Sequence, residues 1–250
     1  MKFITDENFE THVQKTIDEY LNSLEPYDLK KFNSNIIDPV KMTFDQIVRQ
    51  KTVEETINEE IKRQRDKTDN NSIGYFHQNI FKYFENCIVP EQGWDVIYTG
   101  KEKTYYVEMK NKHNTMNDAS SNNTILKMYD KVNSDPNAIC CLVEVIAKSS
   151  GNKVWKRNGK RNDRVFKIEN ERIRRVSIDQ FYSIVTGEED AFYQVCQQLP
   201  ITINKLVKNK NIKLPEDTVI DELEKIDDDK TKALFSLAFG SYLGFKKKGK

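Results

Sequence analysis

The segment GWDVIYTGKEKTYYVEMKNKH, residues 93–113, contains charged side chains within a sequence that otherwise favours β-sheet. Its β-branched and aromatic residues predict two short strands joined by a turn at Gly100. If the loop consists of residues 100–103, Thr99 faces Thr104 and the antiparallel register of the hairpin is fixed.

Three charged residues converge in this predicted hairpin. In that register Asp95 lies opposite Glu108, and strand alternation puts Glu108 and Lys110 on the same face. Like charges directly opposite each other destabilise a strand pair, so an additional interaction must offset this repulsion. Two carboxylates beside a lysine form a hard oxygen site of the kind that Mg²⁺ occupies. A solvent-exposed hairpin with an ordinary Glu–Lys surface pair is the alternative, and the spacing alone does not exclude it.

The sequence on either side of the hairpin predicts a mixed α/β core. A polar break, DKTDNN at residues 66–71, precedes a predicted helix that has Ser72 near its start and an apolar face. A second predicted helix, residues 123–134, ends at Asp135-Pro136, and the apolar run AICCLVEVIA at 138–147 predicts a strand buried on both faces. The predicted order is therefore helix, strand, strand, helix, strand.

The remaining sequence predicts helical additions and a basic hairpin. Residues 1–66 are typical of helices, and KVWKRN and DRVFKIE flank Gly159 as a predicted hairpin. A further strand and helix are predicted before residue 187. The segment 188–245 is mostly helical in its pattern, with breaks expected near Pro200 and at Leu214-Pro215.

Composition and hydropathy argue against a membrane-spanning or secreted protein. The chain has 250 residues with 37% hydrophobic and 32% charged residues, and no apolar run approaches a membrane span. The N-terminus lacks the pattern of a signal peptide, so we expect a cytoplasmic protein. The cysteines show no CxxC spacing and are expected to be reduced packing residues.

Charge is balanced overall but unevenly distributed. The chain has 40 basic and 39 acidic residues, whereas residues 153–175 contain ten Lys or Arg against three acids. Residues 216–229 contain eight acids against one lysine. Such polarisation is typical of a protein with one polyanion-binding face, although two solvated surfaces explain it equally well.

The hairpin and its neighbours resemble the PD-(D/E)XK nuclease superfamily. Asp95 matches the first acid of that motif, Glu108 the second and Lys110 the lysine, while Trp94 stands where the motif often has proline. The resemblance implies an α/β (α+β) fold with a restriction-endonuclease-like core, in which helices flank a mixed central sheet. We expect a helical region at 1–70, the nuclease core with its basic hairpin at 71–190 and a second helical region at 191–250, all in one compact domain.

A closer resemblance extends over residues 70–190. SIGYFHQNIFKYF, GWDV and VEMKNKHNTMN are similar to the SinI-type restriction endonucleases, which cut sites of the form GGNCC. This resemblance implies a type II restriction endonuclease that cuts double-stranded DNA at a short GC-rich palindrome. It also implies Mg²⁺ bound by Asp95 and Glu108, 5′-phosphate products, a homodimer and a cognate DNA methyltransferase.

Other residues are candidates for supporting roles. Gln78 and Glu85 lie seven apart and are expected on one helical face, within reach of a metal or water. Residues 111–123 contain five asparagines, which suit adenine recognition, and the lysines and arginines of 153–175 suit phosphate contacts. The candidate DNA-binding residues are Asn111, Lys112, His113, Asn114, Asn117, Lys156, Arg157, Lys160, Arg161 and Arg164.

Two other functions remain open from the sequence. The same core could serve a nuclease of DNA repair or recombination, which would cut without sequence specificity. The chain could also be a non-catalytic DNA-binding protein whose carboxylates have only a structural role.

Overall fold

A computed structural model of the protein describes residues 1–113, 116–162, 164–208, 210, 212 and 215–239. The chain divides into two compact units: a sheet unit, Met1–Ile17 with Ser72–Lys210, and a helical unit, Asp18–Asn71 with Asn211–Lys250. The three sequence regions at 1–70, 71–190 and 191–250 remain a prediction.

The helices are α1 (Asp6–Ser23), α2 (Leu29–Ser34), α3 (Pro39–Val48), α4 (Val53–Asn79), α5 (Asp118–Ser134), α6 (Ile178–Thr186), α7 (Ala191–Val207), α8 (Val219–Glu224) and α9 (Lys230–Phe239). The strands are β1 (Cys87–Ile88), β2 (Val96–Thr99), β3 (Thr104–Lys112), β4 (Ala138–Ile146), β5 (Asn152–Val154), β6 (Arg157–Arg161), β7 (Arg164–Ile168) and β8 (Ile173–Ser177). A short 3₁₀ turn, Ile80–Tyr83, follows α4.

The central sheet has the strand order β1-β2-β3-β4-β8-β5. Strands β3, β4 and β8 are parallel to one another, whereas β1, β2 and β5 join by antiparallel pairing. Strands β6 and β7 form a separate hairpin. The predicted mixed sheet flanked by helices is therefore confirmed.

The predicted register of the β2–β3 hairpin is also confirmed. Thr99 pairs with Thr104 and Val96 with Val107. The regular ladder ends at Val96, however, and the N–H of Asp95 donates to the carbonyl of Val107 at 2.9 Å. Asp95 therefore lies just outside the ladder, displaced by one residue, and does not form a regular strand pair with Glu108.

One face of the sheet is divided into an apolar part and a charged part. Parallel pairing matches Glu108 with Leu142 and Lys110 with Glu144, so these residues share a face. Helix α5 covers the beginning of this face, where its buried residues pack on those of β4 and β8. The buried residues in this cluster are Ile125, Met128, Val132, Cys140, Leu142, Trp155, Ile168 and Ile173. Beyond α5, at the carboxyl ends of β3, β4 and β8, the same face is charged; we call this the charged face.

The N-terminal helices differ from their predicted boundaries. Helix α4 is continuous through the polar segment 66–71, and Ser72 is a buried residue inside it, so the predicted helix start at Ser72 is wrong. A helix tolerates this segment because Asp and Asn side chains can face solvent. Helix α4 begins instead after a capping box, in which Thr52 Oγ1 accepts from Glu55 N at 3.1 Å and Glu55 Oε2 accepts from Thr52 N at 2.8 Å.

Two predictions in the second half of the chain also need correction. Gly159 lies within β6 opposite Phe166 and not at the turn, because Asn152–Val154 leaves the hairpin and pairs with β8. Helix α7 continues through Pro200, so the predicted break there is wrong. Leu214, part of the other predicted break, lies outside the described residues.

The cysteines follow the expected burial only in part. Cys140 and Cys141 are buried as predicted, but Cys196 is exposed. Within the described part of the chain, no helix combines the length and the apolar character needed to cross a membrane.

The buried His12 makes the sheet unit sensitive to acid. It is 3% exposed, and its Nε2–H donates to the carbonyl of Phe76 at 2.9 Å. Burial lowers the pKa of His12 from 6.5 to about 4, although this hydrogen bond opposes the shift. The unfolded side chain therefore takes up a proton at a higher pH than the folded one, and stability is lost as the pH falls below about 6.5.

We expect His12 to contribute a loss of about 2 kcal/mol in unfolding free energy between about pH 7 and pH 5. His12→Gln keeps an N–H donor but does not titrate, so this variant should lose correspondingly less stability over that interval. Urea denaturation of both proteins at the two pH values measures the difference. Equal losses in the two proteins would contradict this assignment.

Candidate functional site

Asp95 is fixed at the entrance to β2 by contacts from two other elements. Its carboxylate Oδ2 accepts a hydrogen bond from the backbone N–H of Met109 at 2.6 Å. Its backbone carbonyl accepts from Gln78 Nε2, at the end of α4, at 3.2 Å. The carboxylate is therefore held against the part of β3 that carries Glu108 and Lys110.

Glu108 is held by two lysines. Its Oε1 forms an ion pair with Lys127 of α5, and its Oε2 lies 4.0 Å from the Nζ of Lys110. Lys127 also donates to the carbonyl of Gly93 at 2.6 Å and lies 4.0 Å from the centre of the Trp94 ring. Three different contacts thus fix Lys127 beside the carboxylate, and Trp94, which replaces the usual proline of the motif, takes part in holding it.

The three motif residues are therefore neighbours around residues 108–110 of β3, an inner strand of the sheet. The Glu108 side chain is largely buried, whereas about a third of the Lys110 side chain is exposed. Within the described residues, Lys110 forms one ion pair, a long one with Glu108, so its ammonium can still donate to a substrate oxygen. Glu108 and Lys110 share one face of β3, and the Asp95 carboxylate is hydrogen-bonded to the backbone of Met109, the residue between them.

The donor set of this site fits a small divalent cation. Asp95 and Glu108 supply carboxylate oxygens, the hard donors that Mg²⁺ prefers. Among the described residues, no group of three or more His, Cys, Asp or Glu side chains could hold a metal. The other donors to a cation held by these two carboxylates would therefore be waters, main-chain carbonyls or oxygens of the substrate.

The two accessory candidates have different positions. Gln78 reaches the backbone of Asp95 and so acts on the site through the main chain. Glu85 is exposed and lies beyond the 3₁₀ turn that follows α4, so the prediction that it shares a helical face with Gln78 is wrong. Regular helical spacing cannot be continued past the end of α4 at Asn79.

A second charged cluster lies beside the first on the charged face. Glu144, in register with Lys110, is 5% exposed. His113 Nδ1 lies 3.0 Å from its carboxylate and 2.9 Å from Arg175 Nη2, and Arg175 Nη2 forms an ion pair with the same carboxylate. Burial alone would raise the pKa of Glu144, but the hydrogen bonds from Arg175 and His113 outweigh burial and hold the pKa below its ordinary value. Glu144 is therefore an ionised carboxylate at neutral pH.

Several candidate DNA-binding residues have structural partners. Asn117 caps α5, with its Oδ1 accepting from Ser120 N at 2.8 Å. Arg157 and Arg161 of β6 form ion pairs with acids of α5, Asp118 and Asp130. These contacts attach the basic hairpin to the sheet unit and neutralise part of its charge.

The other candidates vary in exposure. Lys156 forms an ion pair with Glu169, and the backbone N–H of Lys160 donates to Asn122 Oδ1 at 2.7 Å. Lys112 and Arg164 are exposed, and Asn111 and His113 are half-buried. Asn114 lies outside the described residues.

Three residues of this region have roles that were not predicted from the sequence. Lys127 is one of two lysines on an amphipathic helix, and its role depends on how α5 crosses β3. Glu144 gave a detectable signal, because it is an isolated acid in an apolar strand and a buried charge requires a partner. Arg175 was counted only as part of the basic segment, and strand pairing identifies it as that partner.

The comparisons with known proteins agree on one family. The sequence model of the Eco47II restriction endonuclease family matches residues 1–208. The chain is 34% identical over 217 residues to the type II restriction enzyme Sau96I of Staphylococcus aureus, covering 85% of this chain and 83% of that protein. It is 26% identical over 216 residues to the type II restriction enzyme Eco47II of Escherichia coli, covering 84% of this chain and 89% of that protein.

We expect Lys127→Met to lower the unfolding free energy of the metal-free protein by about 1–2 kcal/mol, because Glu108 would lose its closest counter-charge in a partly buried position. Glu108→Gln and the double variant complete a double-mutant cycle in urea denaturation. The double variant should lose less unfolding free energy than the two single variants lose together. Strictly additive effects would mean that the ion pair contributes nothing.

Proposed function

The chain belongs to the Eco47II restriction endonuclease family, and on that premise we propose that Asp95, Glu108 and Lys110 are the active-site residues of a type II restriction endonuclease. The substrate is double-stranded DNA containing a short GC-rich palindrome of the GGNCC type. The observation that carries this assignment is the proximity of two carboxylates and a lysine around residues 108–110 of β3. Family membership favours site-specific cleavage over the repair-nuclease and non-catalytic alternatives.

Asp95 and Glu108 would hold Mg²⁺. When bound, this ion polarises a phosphoryl oxygen and lowers the pKa of its water. The hydrogen bond from Met109 N to Asp95 and the ion pair from Lys127 to Glu108 orient the two carboxylates before the ion arrives. The protein therefore needs little reorganisation to form the site.

Lys110 would act on the phosphate directly. Its ammonium donates to a non-bridging oxygen of the scissile phosphate and stabilises the negative charge that develops as water attacks phosphorus. The oxygen of the attacking water bonds to phosphorus and the water releases a proton to solvent. The bond between phosphorus and the 3′ oxygen breaks, and that oxygen takes a proton from solvent. The products are a 5′-phosphate and a 3′-hydroxyl.

The DNA would lie across the charged face and the neighbouring basic elements. Lys112, Lys160 and Arg164 are exposed and would contact phosphates. Arg157 and Arg161 form ion pairs with α5 and would contact phosphates after leaving them. Asn111 and Lys112 directly follow the catalytic strand residues and remain candidates for base contacts. These DNA contacts are part of the proposal.

A palindromic site implies a homodimer, because each protomer then presents one active site to one strand. Helix α3 of the helical unit has an exposed apolar row that suits such an interface. Its members are Val40, Phe44, Ile47 and Val48, with Ile36 just before the helix. We propose that a second copy of the chain covers this row. We also expect a cognate DNA methyltransferase to protect the host, and the enzyme to act in the cytoplasm.

We expect purified protein to cut unmethylated plasmid DNA into discrete fragments with Mg²⁺, and to leave it intact with EDTA. Asp95→Ala, Glu108→Ala and Lys110→Ala should each reduce the cleavage rate by about 10²-fold or more, because each removes a charge that acts on the phosphate or the ion. Lys101→Ala and Glu102→Gln in the β2–β3 turn are matched controls and should cut normally. End mapping should place the cuts at GGNCC-like sequences with 5′-phosphates.

The outcomes separate the candidate functions. Random nicking would support a repair nuclease instead, and a retarded gel band with intact DNA would support a binding protein.

We expect Ile47→Asp to convert a dimer to a monomer, because it places a charge in the apolar row of α3. Light scattering after size-exclusion chromatography measures the mass, and circular dichroism checks folding. Ile201→Asp, at an exposed apolar position on α7, is the control and should remain dimeric. If the mass of the Ile47 variant is unchanged, the interface lies elsewhere.

A further inference from the structure

The buried carboxylate of Glu144 holds an arginine in a fixed position near the proposed active site. Glu144 lies on the strand next to Lys110, and Arg175 lies on the following strand, on the same face. Arg175 is level with Leu142 and Glu108, two residues short of the position level with Lys110. Two strand spacings and two residues of strand rise place the backbone of Arg175 about 12 Å from that of Lys110. A long DNA strand that contacts Lys110 can therefore also contact the surface around Arg175.

A cleft opens at this position, beside Glu144 and His113. It has a volume of about 510 Å³ and lies between the end of β4, strand β5 and the end of β8. Its lining includes Lys148, Ser149, Lys153, Trp155, Lys156 and Arg175. Glu144 is the acid of this lining, and its charge is already matched by its ion pair with Arg175.

The cations that line the cleft form fewer ion pairs with acidic residues of the protein than the cations of the basic hairpin do. Lys148 and Lys153 are exposed, and neither forms an ion pair with any residue that the structure describes. By contrast, Arg157 and Arg161 of the hairpin form ion pairs with α5. Lys156 pairs with Glu169 at the rim. The cleft therefore presents a positive surface to solvent beside the active site.

We propose that this cleft binds a backbone phosphate of the DNA strand, close to the scissile phosphate and separate from it. Lys148 and Lys153 attract the phosphate, and Arg175 donates hydrogen bonds to it. Glu144 and His113 are positioning residues that hold Arg175 on the sheet. This inference rests on the proposed nuclease function and adds to it a second anchor that fixes the strand relative to Lys110.

The chemistry of the cleft favours a phosphate over a base edge. Lysines act as strongly hydrated point charges that bind phosphate without strict geometry, and two of them converge here. The guanidinium of Arg175 can donate to phosphate oxygens while Glu144 holds it. An anchor of this kind contributes affinity at every DNA sequence and positions the duplex for cleavage.

The test begins with wild-type cleavage and then measures DNA binding with Ca²⁺ in place of Mg²⁺. Lys148→Ala/Lys153→Ala should bind duplexes with and without the recognition sequence more weakly by a similar factor, roughly tenfold. The slope of log affinity against log salt concentration should become shallower by about 0.9 for the lost phosphate contact. Lys101→Ala/Lys103→Ala, at the opposite end of β3, is the matched control and should bind like wild type.

Neutral methylphosphonate linkages locate the contact. Each phosphate near the cut is replaced in turn, and the wild-type protein should lose affinity strongly at one position beyond the scissile phosphate. In Lys148→Ala/Lys153→Ala the penalty at that position should largely disappear, because the contact is already lost. Glu144→Gln should reduce the same penalty without affecting other positions, as expected of a residue that positions Arg175.

The outcomes distinguish this inference from the proposed function. If the wild type makes discrete Mg²⁺-dependent cuts while the double variant keeps its affinity and salt slope, the cleft proposal is overturned and the nuclease assignment stands. Weaker binding only to the recognition sequence would also overturn it, because that result indicates base reading. Absence of any cleavage by the wild type would refute the proposed function itself.

Discussion

The parallel pairing of β3 with β4 is the constraint on which the site depends. It matches Glu108 with Leu142 and Lys110 with Glu144, so a single face contains both core residues and charged residues. Helix α5 covers the apolar part of that face and leaves the carboxyl ends of the strands uncovered. A shift of one residue in β3 would send Glu108 to the other face and Val107 to this one. The hydrophobic core and the candidate active site are therefore set by the same register.

Half-buried charges on this face need partners, and the partners come from different elements. Glu108 is held by Lys127 of α5, and Glu144 by Arg175 of β8. Because a charge without its partner is costly in a low-dielectric position, folding of these elements and assembly of the site favour each other. The same contacts restrict the carboxylates before any substrate binds. The charge built into the predicted strand is thus compatible with a stable fold.

The sequence allowed the sheet and the motif to be predicted, because both depend on local signals. Alternation and a turn at Gly100 were sufficient for the hairpin register, which the strand pairs match. Helix boundaries were less predictable, since α4 continues through polar residues and α7 through Pro200. The role of Lys127 could not be predicted from the local sequence, because its contact with Glu108 depends on how a helix packs across a strand. The displacement of Asp95 from the regular ladder could not be predicted either, since it depends on one irregular backbone hydrogen bond.

The distribution of charge shows why counting residues along the chain gives an incomplete account of a binding surface. Residues 153–175 form the most basic segment, yet two of its arginines form ion pairs with α5 and attach the hairpin to the sheet unit. Arg175, from the same segment, lies two strands from Lys110 beside lysines that come from the turn after β4 and from β5. A local electrostatic field depends on which charges are already paired, and pairing is a property of the tertiary structure. The proposed phosphate anchor lies next to the carboxylates, where strand order and not sequence proximity brings the cations together.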